Sequence, residues 1–427
     1  ATRNAVPVVN ISLQFDAGYA ADSFGTLGAA SFAMAMLDEG TATRDALQIA
    51  AEAESLGAFI STDSDLDTSM AYLSALKSQL QPSLDLFSEI VKEPAFPDEE
   101  LVRLRKRWIA GIGQEKNEPV QLALRTLPLL MYGDDHAYGI PFTGSGTEAS
   151  INALTRDELV SWHQTWIRPS NGTLFVVGDT TMEEILPLLN QYFGAWKENR
   201  MAVPEKNIAE VAMREGAVYL IDKPGAPQSL ILAGHVAPAT GVDNNIDILT
   251  MNDVIGGSFT ARVNMNLRED KGWAYGAYTF MQDARGQRPW LAYAPVQTDR
   301  TADSIKELKR EMDEFLNSSP ARQDELDKSV RNNVNSLPGQ FETAGAVLDA
   351  LLSNDRFGRP DDYVSSLKSR YEAVDLAAVR AAAEQVIHPD NLIWLIVGDL
   401  EQIEQQIRDL GLGVVQIIDE DGKAIAQ

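Results

Sequence analysis

Two apolar runs, Phe175-Val176-Val177-Gly178-Asp179 and Leu395-Ile396-Val397-Gly398-Asp399, both close on Val-Gly-Asp, and their glycines lie 220 residues apart. A stretch with apolar and charged residues at helical spacing follows each, over 181–193 and 400–409. A second echo comes earlier in each half. Leu13 to Gly18 and Leu230 to Gly234 both read as a strand running into glycine, 216 residues apart. A helical pattern follows both and closes on Gly40 and Gly256, again 216 residues apart. Landmarks that recur at nearly one offset predict one folding unit written twice.

The expected division is a domain over 1–197, a linker over 198–215 and a second domain over 216–427. The linker stretch is polar, holds Pro204 and shows no clean period. Helical patterns fall at 25–38, 44–56, 83–92, 98–117, 121–131 and 155–166, and strand patterns at 8–16, 58–63, 67–76 and 173–178. The two kinds of element do not alternate regularly. That grouping predicts an α+β fold, each domain a mainly antiparallel sheet flanked by helices, the pair forming a clamshell.

Composition removes whole classes of chemistry. The chain has no cysteine, so disulfides, thiolate zinc sites, iron–sulfur clusters and cysteine nucleophiles are excluded. Its four histidines, His136, His163, His235 and His388, are never closer than 27 positions, so no helix carries two of them as a metal pair. With 62 acidic against 36 basic residues the formal charge is −26, which repels nucleic acid and tolerates neutral or basic peptides. No apolar run approaches the ~20 residues of a membrane-spanning helix. The chain opens Ala1-Thr2-Arg3-Asn4 without an initiator Met or a signal-like apolar core, and the expectation is that any targeting segment has been removed.

Three segments carry a family likeness: Gly28 through Met34-Ala35-Met36-Leu37 to Gly40-Thr41, Tyr132-Gly133-Asp134-Asp135-His136-Ala137-Tyr138-Gly139, and Gly256-Gly257-Ser258-Phe259 through Leu267-Arg268-Glu269 to Ala274-Tyr275. Together they resemble the pitrilysin and mitochondrial-processing-peptidase family of metallopeptidases, whose paired homologous α+β domains match the repeat. Catalytic members read H-x-x-E-H on the first segment, two histidines holding zinc and a glutamate polarising water. Aligned on Gly28, Phe32, Leu37 and Gly40, those positions are Ser31, Met34 and Ala35 here. The family's distal glutamate ligand falls near Ala110-Gly111, and Glu115 and Glu118 lie a turn or more beyond it. A catalytic zinc needs about three protein ligands. The resemblance therefore implies a degenerate zinc site, with no metal and no cofactor in this chain.

Arg268 and Tyr275 match the family's substrate-binding pair. From spacing alone they read as a charge at a helix end and a packed ring. The resemblance implies more: Arg268 holds the peptide backbone, and the Tyr275 hydroxyl stabilises the scissile carbonyl. A tight turn at Gly272 is expected to let them converge, with Tyr275 opening a strand on one face with Ala277 and Thr279.

Two functions follow from the likeness. One is a non-catalytic, substrate-binding subunit of a heterodimeric zinc metallopeptidase, inactive alone, whose homologous partner carries H-x-x-E-H and the zinc. The other is a structural or assembly subunit without a role in proteolysis. A third, metal-free hydrolysis through Ser31, lacks a His or Asp placed to activate the hydroxyl. The resemblance implies a periplasmic setting, with the cytoplasm as alternative.

Overall fold

A computed structural model describes residues 1–197 and 201–425 of the chain. Its backbone forms two sheets. The first holds β1 (Val8–Phe15), β2 (Phe59–Ser64), β3 (Ser69–Leu76) and β4 (Gly172–Gly178), ordered β2-β3-β1-β4 and antiparallel throughout. The second holds β5 (Ala217–Asp222), β6 (Gln228–Ala237), β7 (Tyr278–Met281), β8 (Arg288–Gln297), β9 (Ile393–Gly398) and β10 (Val414–Ile417), ordered β10-β5-β9-β6-β8-β7. The run β7-β8-β6-β9 repeats the first sheet strand for strand. The α+β class with mainly antiparallel sheets is as the sequence indicates. Among the described strands only β10, β5 and β9 pair in parallel, and β5 and β10 carried no repeat signal.

Strand register fixes the repeat more tightly than the sequence could. Ile11 pairs with Val176 in the first sheet and Ile231 with Ile396 in the second, so both members shift by 220. Thr2 bridges Gly178 in parallel where Asp222 meets Gly398, the same shift again. This corrects one landmark. Gly234 sits inside β6 at the place of Gln14, whereas Gly18 lies beyond the end of β1. The 216-residue echo between those glycines is coincidental.

The chain divides into two compact units, each discontinuous. The first is 1–114, 143–207 and 338–359, and the second is 115–142, 208–337 and 360–427. These boundaries depart from a contiguous split at 198–215, because each half of the chain lends a helix to the other unit. Helix Pro119–Tyr132 packs on β6 and β9, and helix Ala344–Arg356 packs on β1 and β4. The lent segments are well tied. In the second unit Tyr132 Oη donates to Gln287 O at 2.9 Å, Gly286 N donates to Tyr138 Oη at 3.0 Å, and His136 Nδ1 accepts from Tyr138 N at 3.0 Å. In the first, Leu348 and Leu352 pack against Val177 while Gln14 Nε2 donates to Leu352 O at 3.3 Å. Of the expected linker, 198–200 lie outside the described residues, and 201–215 form no regular element and contain no buried residue.

Candidate functional site

The degenerate zinc segment is a short helix, Ala29–Met34, sealed into the first unit. The buried Asp22 carboxylate accepts from Gly28 N at 2.7 Å and Ala30 N at 2.9 Å, satisfying two of the donors that open a helix. Burial nevertheless pushes the Asp22 carboxyl up to about 8, against the pull of those two bonds. Phe32 meets the Trp108 ring edge-on at 5.3 Å, and Thr62 Oγ1 of β2 donates to Met34 O at 2.7 Å.

Every position of the motif is unfit for zinc. Met34 is 0% exposed and its thioether is committed to the core. Ala35 has no donor atom, and a lone Ser31 hydroxyl is a poor ligand. At the distal position, space around Gly111 is open, with nothing within 4 Å of where a Cβ would stand. Glu115, the next acid along, is held by Arg125 Nη1 at 2.6 Å. Among the described residues no group of three or more His, Asp or Glu could hold a metal ion. Ser31 Oγ makes no hydrogen bond to a His or Asp among the described residues, so nothing there activates it as a nucleophile.

The second signature segment is built the opposite way. Helix Asn245–Asn252 runs into a π-helical turn, Asp253–Gly257, and the short helix Arg262–Asn264 runs into another, Met265–Asp270. Such wide turns recur at functional sites. A Cβ on Gly256 would stand 2.3 Å from Thr279 Oγ1, so only glycine lets the first turn lie against β7. Gly272, with φ of +67°, then reverses the chain, and Arg268 O accepts from its N–H at 3.2 Å.

The turn brings Arg268 and Tyr275 together as the sequence suggested. The Arg268 guanidinium lies 5.4 Å from the centre of the Tyr275 ring and 4.5 Å from that of Phe259, stacked beside both. Tyr275 is 85% exposed and Phe259 54% exposed. Strand placement differs from expectation. Regular pairing starts only at Tyr278, after a lone bridge between Ala274 and Val296. Tyr275 therefore does not share a face with Ala277 and Thr279, which are buried. It projects from irregular chain ahead of the strand.

Sequence reading missed the residues that hold this geometry. Asn264 is fully buried; its Oδ1 accepts from Ala277 N at 3.0 Å and its Nδ2 donates to Phe259 O at 2.6 Å. One side chain thus ties the Phe259 loop to the segment just past Tyr275. Asn252, also buried, ties its helix to β7 and β8, with Oδ1 accepting from Thr279 Oγ1 and Trp290 Nε1 at 2.8 and 3.0 Å. The available signal was amide side chains on otherwise apolar helical periods, where an unpaired amide would be expensive.

Comparisons with known proteins agree with this anatomy. The family model for insulinase (peptidase family M16) matches residues 1–138, and that for the peptidase M16 inactive domain matches 153–333. An uncharacterized zinc protease of Mycobacterium leprae is 25% identical over 65% of this chain; the match spans 62% of that protein's length. The uncharacterized zinc protease YmxG of Bacillus subtilis is 21% identical over 86% of this chain and 88% of its own. Among solved structures, a peptidase M16 inactive domain from Pseudomonas fluorescens superposes with a TM-score of 0.85 at 23% identity, covering 93% of this chain and 95% of that one. The first half of the periplasmic protease PqqL from Escherichia coli gives 0.74 at 17% identity, covering 95% and 90%. Fold and signature segments define a metallopeptidase-type protein of two α+β repeats. The chain belongs to peptidase family M16.

Proposed function

We propose that this chain is the non-catalytic, substrate-binding subunit of a two-chain zinc metallopeptidase, inactive by itself. The supporting observation is the exposed Arg268–Tyr275 pair in a chain whose Ser31, Met34 and Ala35 offer no ligand set for zinc. A homologous partner with an intact H-x-x-E-H would supply the metal and the attacking water. The Tyr275 hydroxyl donates a hydrogen bond to the peptide carbonyl oxygen as charge develops on it. Arg268, over the Phe259 and Tyr275 rings and 3.4 Å through Nε from Glu269 Oε1, steadies the Tyr275 ring and presents its guanidinium to the peptide backbone. Such donors act strongly only where water is excluded. With Tyr275 as exposed as it is, a second surface has to close over it, and that favours action in a pair. A periplasmic setting is part of the proposal, supported by the similar Escherichia coli protein described as periplasmic.

The test is peptide cleavage by the reconstituted pair. Loss of one oxyanion donor lowers turnover by roughly 10²–10³, so Tyr275→Phe should do so with pairing intact. Arg268→Ala should slow turnover and also weaken peptide binding. If Tyr275→Phe leaves kcat within about threefold, the donor role fails and the assembly-subunit reading replaces it.

A further inference from the structure

A cavity of about 430 Å³ opens in the second unit between the turn Asp253–Gly257, the loop Ser258–Thr260 and helix Gln323–Gln340. That volume lies within the roughly 300–1,000 Å³ of small-ligand pockets. Its walls are polar, and most of their charges are already matched. Glu325 is gripped by Arg262 Nη2 at 2.6 Å and Arg322 Nη1 at 3.3 Å, and Asp324 by Arg322 Nε at 3.1 Å.

Among the wall's carboxylates Asp253 is the exception. Its Oδ2 accepts from Ser329 Oγ at 2.8 Å and Asn333 Nδ2 at 2.6 Å, both neutral donors, and no cation pairs with it among the described residues. The one remaining cation on the wall, Lys328, donates instead to the Thr260 hydroxyl. Burial raises the Asp253 carboxyl above the usual carboxylate range although both hydrogen bonds oppose the shift. The charged form of a half-buried carboxylate held by neutral donors is favoured by a cation within about 4–6 Å of it.

The cavity and the candidate site share the loop Ser258–Thr260. Ser258 and Thr260 line the cavity, and Phe259 between them carries its ring to the Arg268 guanidinium. We propose that the cavity receives a basic side chain, arginine or lysine, of the bound peptide, with Asp253 as its counter-ion. The peptide context rests on the function proposed above; the cation site itself does not. The formal charge of −26 acts in the same direction, drawing basic peptides to the chain.

The experiment uses the full chain without a partner and two capped amino acids, Nα-acetyl-arginine methylamide and its neutral isostere Nα-acetyl-citrulline methylamide, titrated by ligand-observed NMR. The arginine probe should bind about tenfold or more tightly than the citrulline probe, as charge-assisted pairing requires. Asp253→Asn should abolish that preference. Lys328→Met, which removes the like charge from the wall without touching the carboxylate, should strengthen arginine binding, and it decides the matter if Asp253→Asn does not fold. Equal affinity of wild type for both probes, a preference that survives in folded Asp253→Asn, or arginine affinity that does not rise in Lys328→Met would each overturn the proposal. Because no peptidase activity is read, these results stand apart from the Tyr275→Phe assay: either idea can fail while the other holds.

Discussion

The helix before the edge strand is built in two ways. In the first unit, Ala46–Leu56 is a regular α-helix with a capping box between Asp45 and Gln48, stopped by Gly57 in the left-handed conformation, and β2 starts two residues later at Phe59. In the second, the equivalent helix ends in a π-helical turn, Gly272 reverses the chain, and β7 waits until Tyr278. The delay leaves Trp273–Ala277 outside the regular ladder, and Tyr275 stands there. The zinc helix shows the converse. Asp22 holds its start and Met34 lies in the core of the first unit, and Ser31, Met34 and Ala35 offer no ligand set for zinc. Regular packing has closed over one signature, and irregular backbone presents the other.

Five measurements test how sealed and how open these regions are. The largest effect is expected at the sealed one. Met34→Glu restores the family's glutamate but buries a carboxylate without a partner, and should lower stability by on the order of 4 kcal/mol or more by chemical denaturation. Zinc retention after dialysis by the triple variant Ser31→His, Met34→Glu, Ala35→His would contradict the account of the site as closed, since the distal position near Gly111 is also empty of ligand.

The two units should respond to pH with opposite sign. His235 stacks on Trp290 at 5.3 Å; its Nδ1 faces Val236 O at 3.1 Å while its Nε2 accepts from His388 N at 3.3 Å, so the neutral tautomer is locked. Burial pulls its pKa down to about 4. Between pH 6.5 and about 4 the unfolded chain then holds more protons, and the second unit loses stability as pH falls, on the order of 3 kcal/mol in full. Asp22 works the other way. Its raised pKa means the folded chain holds more protons from the ordinary carboxylate range to about 8, so the first unit loses stability as pH rises. Native-state hydrogen exchange of β6 and of Ala29–Met34 across pH 5–8 would read both; parallel responses would refute the contrast.

A smaller loss is expected from Asn264→Ala, which strands the Ala277 N–H and the Phe259 carbonyl. About 2–3 kcal/mol of destabilisation follows from two unsatisfied groups, with the Phe259–Arg268–Tyr275 stack loosened. Full activity of the reconstituted pair with this variant would show that Asn264 supports the fold and not the site. The smallest effect belongs to the open region. Tyr275→Phe removes an exposed hydroxyl and should change stability by less than about 0.5 kcal/mol, so any kinetic effect would be chemical in origin. A stability loss well above that would mean that Tyr275 is a structural ring.

Much of this molecule was legible in local pattern. Period-2 runs marked β1 to β4 to within two residues, helical spacing marked Asp98–Asn117 and Arg156–Trp166, and Val-Gly-Asp located the ends of β4 and β9. The substitutions at Ser31, Met34 and Ala35 needed no structure to be seen, and the glycine turn that joins Arg268 to Tyr275 could be read from Gly272. Local signals succeed there because a strand face, a helix stripe and a turn are each set by residues within a few positions of one another. The exchange of helices Pro119–Tyr132 and Ala344–Arg356 left no such trace. Their apolar faces fit either sheet by composition, and only packing against β6 and β9 or β1 and β4 selects one. Asn264, Asn252 and Asp253 were equally silent, because each takes its meaning from at least one partner 13 to 80 positions away. The position of Tyr275 ahead of its strand was decided in the same way: pairing with β8 begins where Asn264 and Gly256 allow the backbone to approach, and the sequence around Tyr275 is compatible with either outcome.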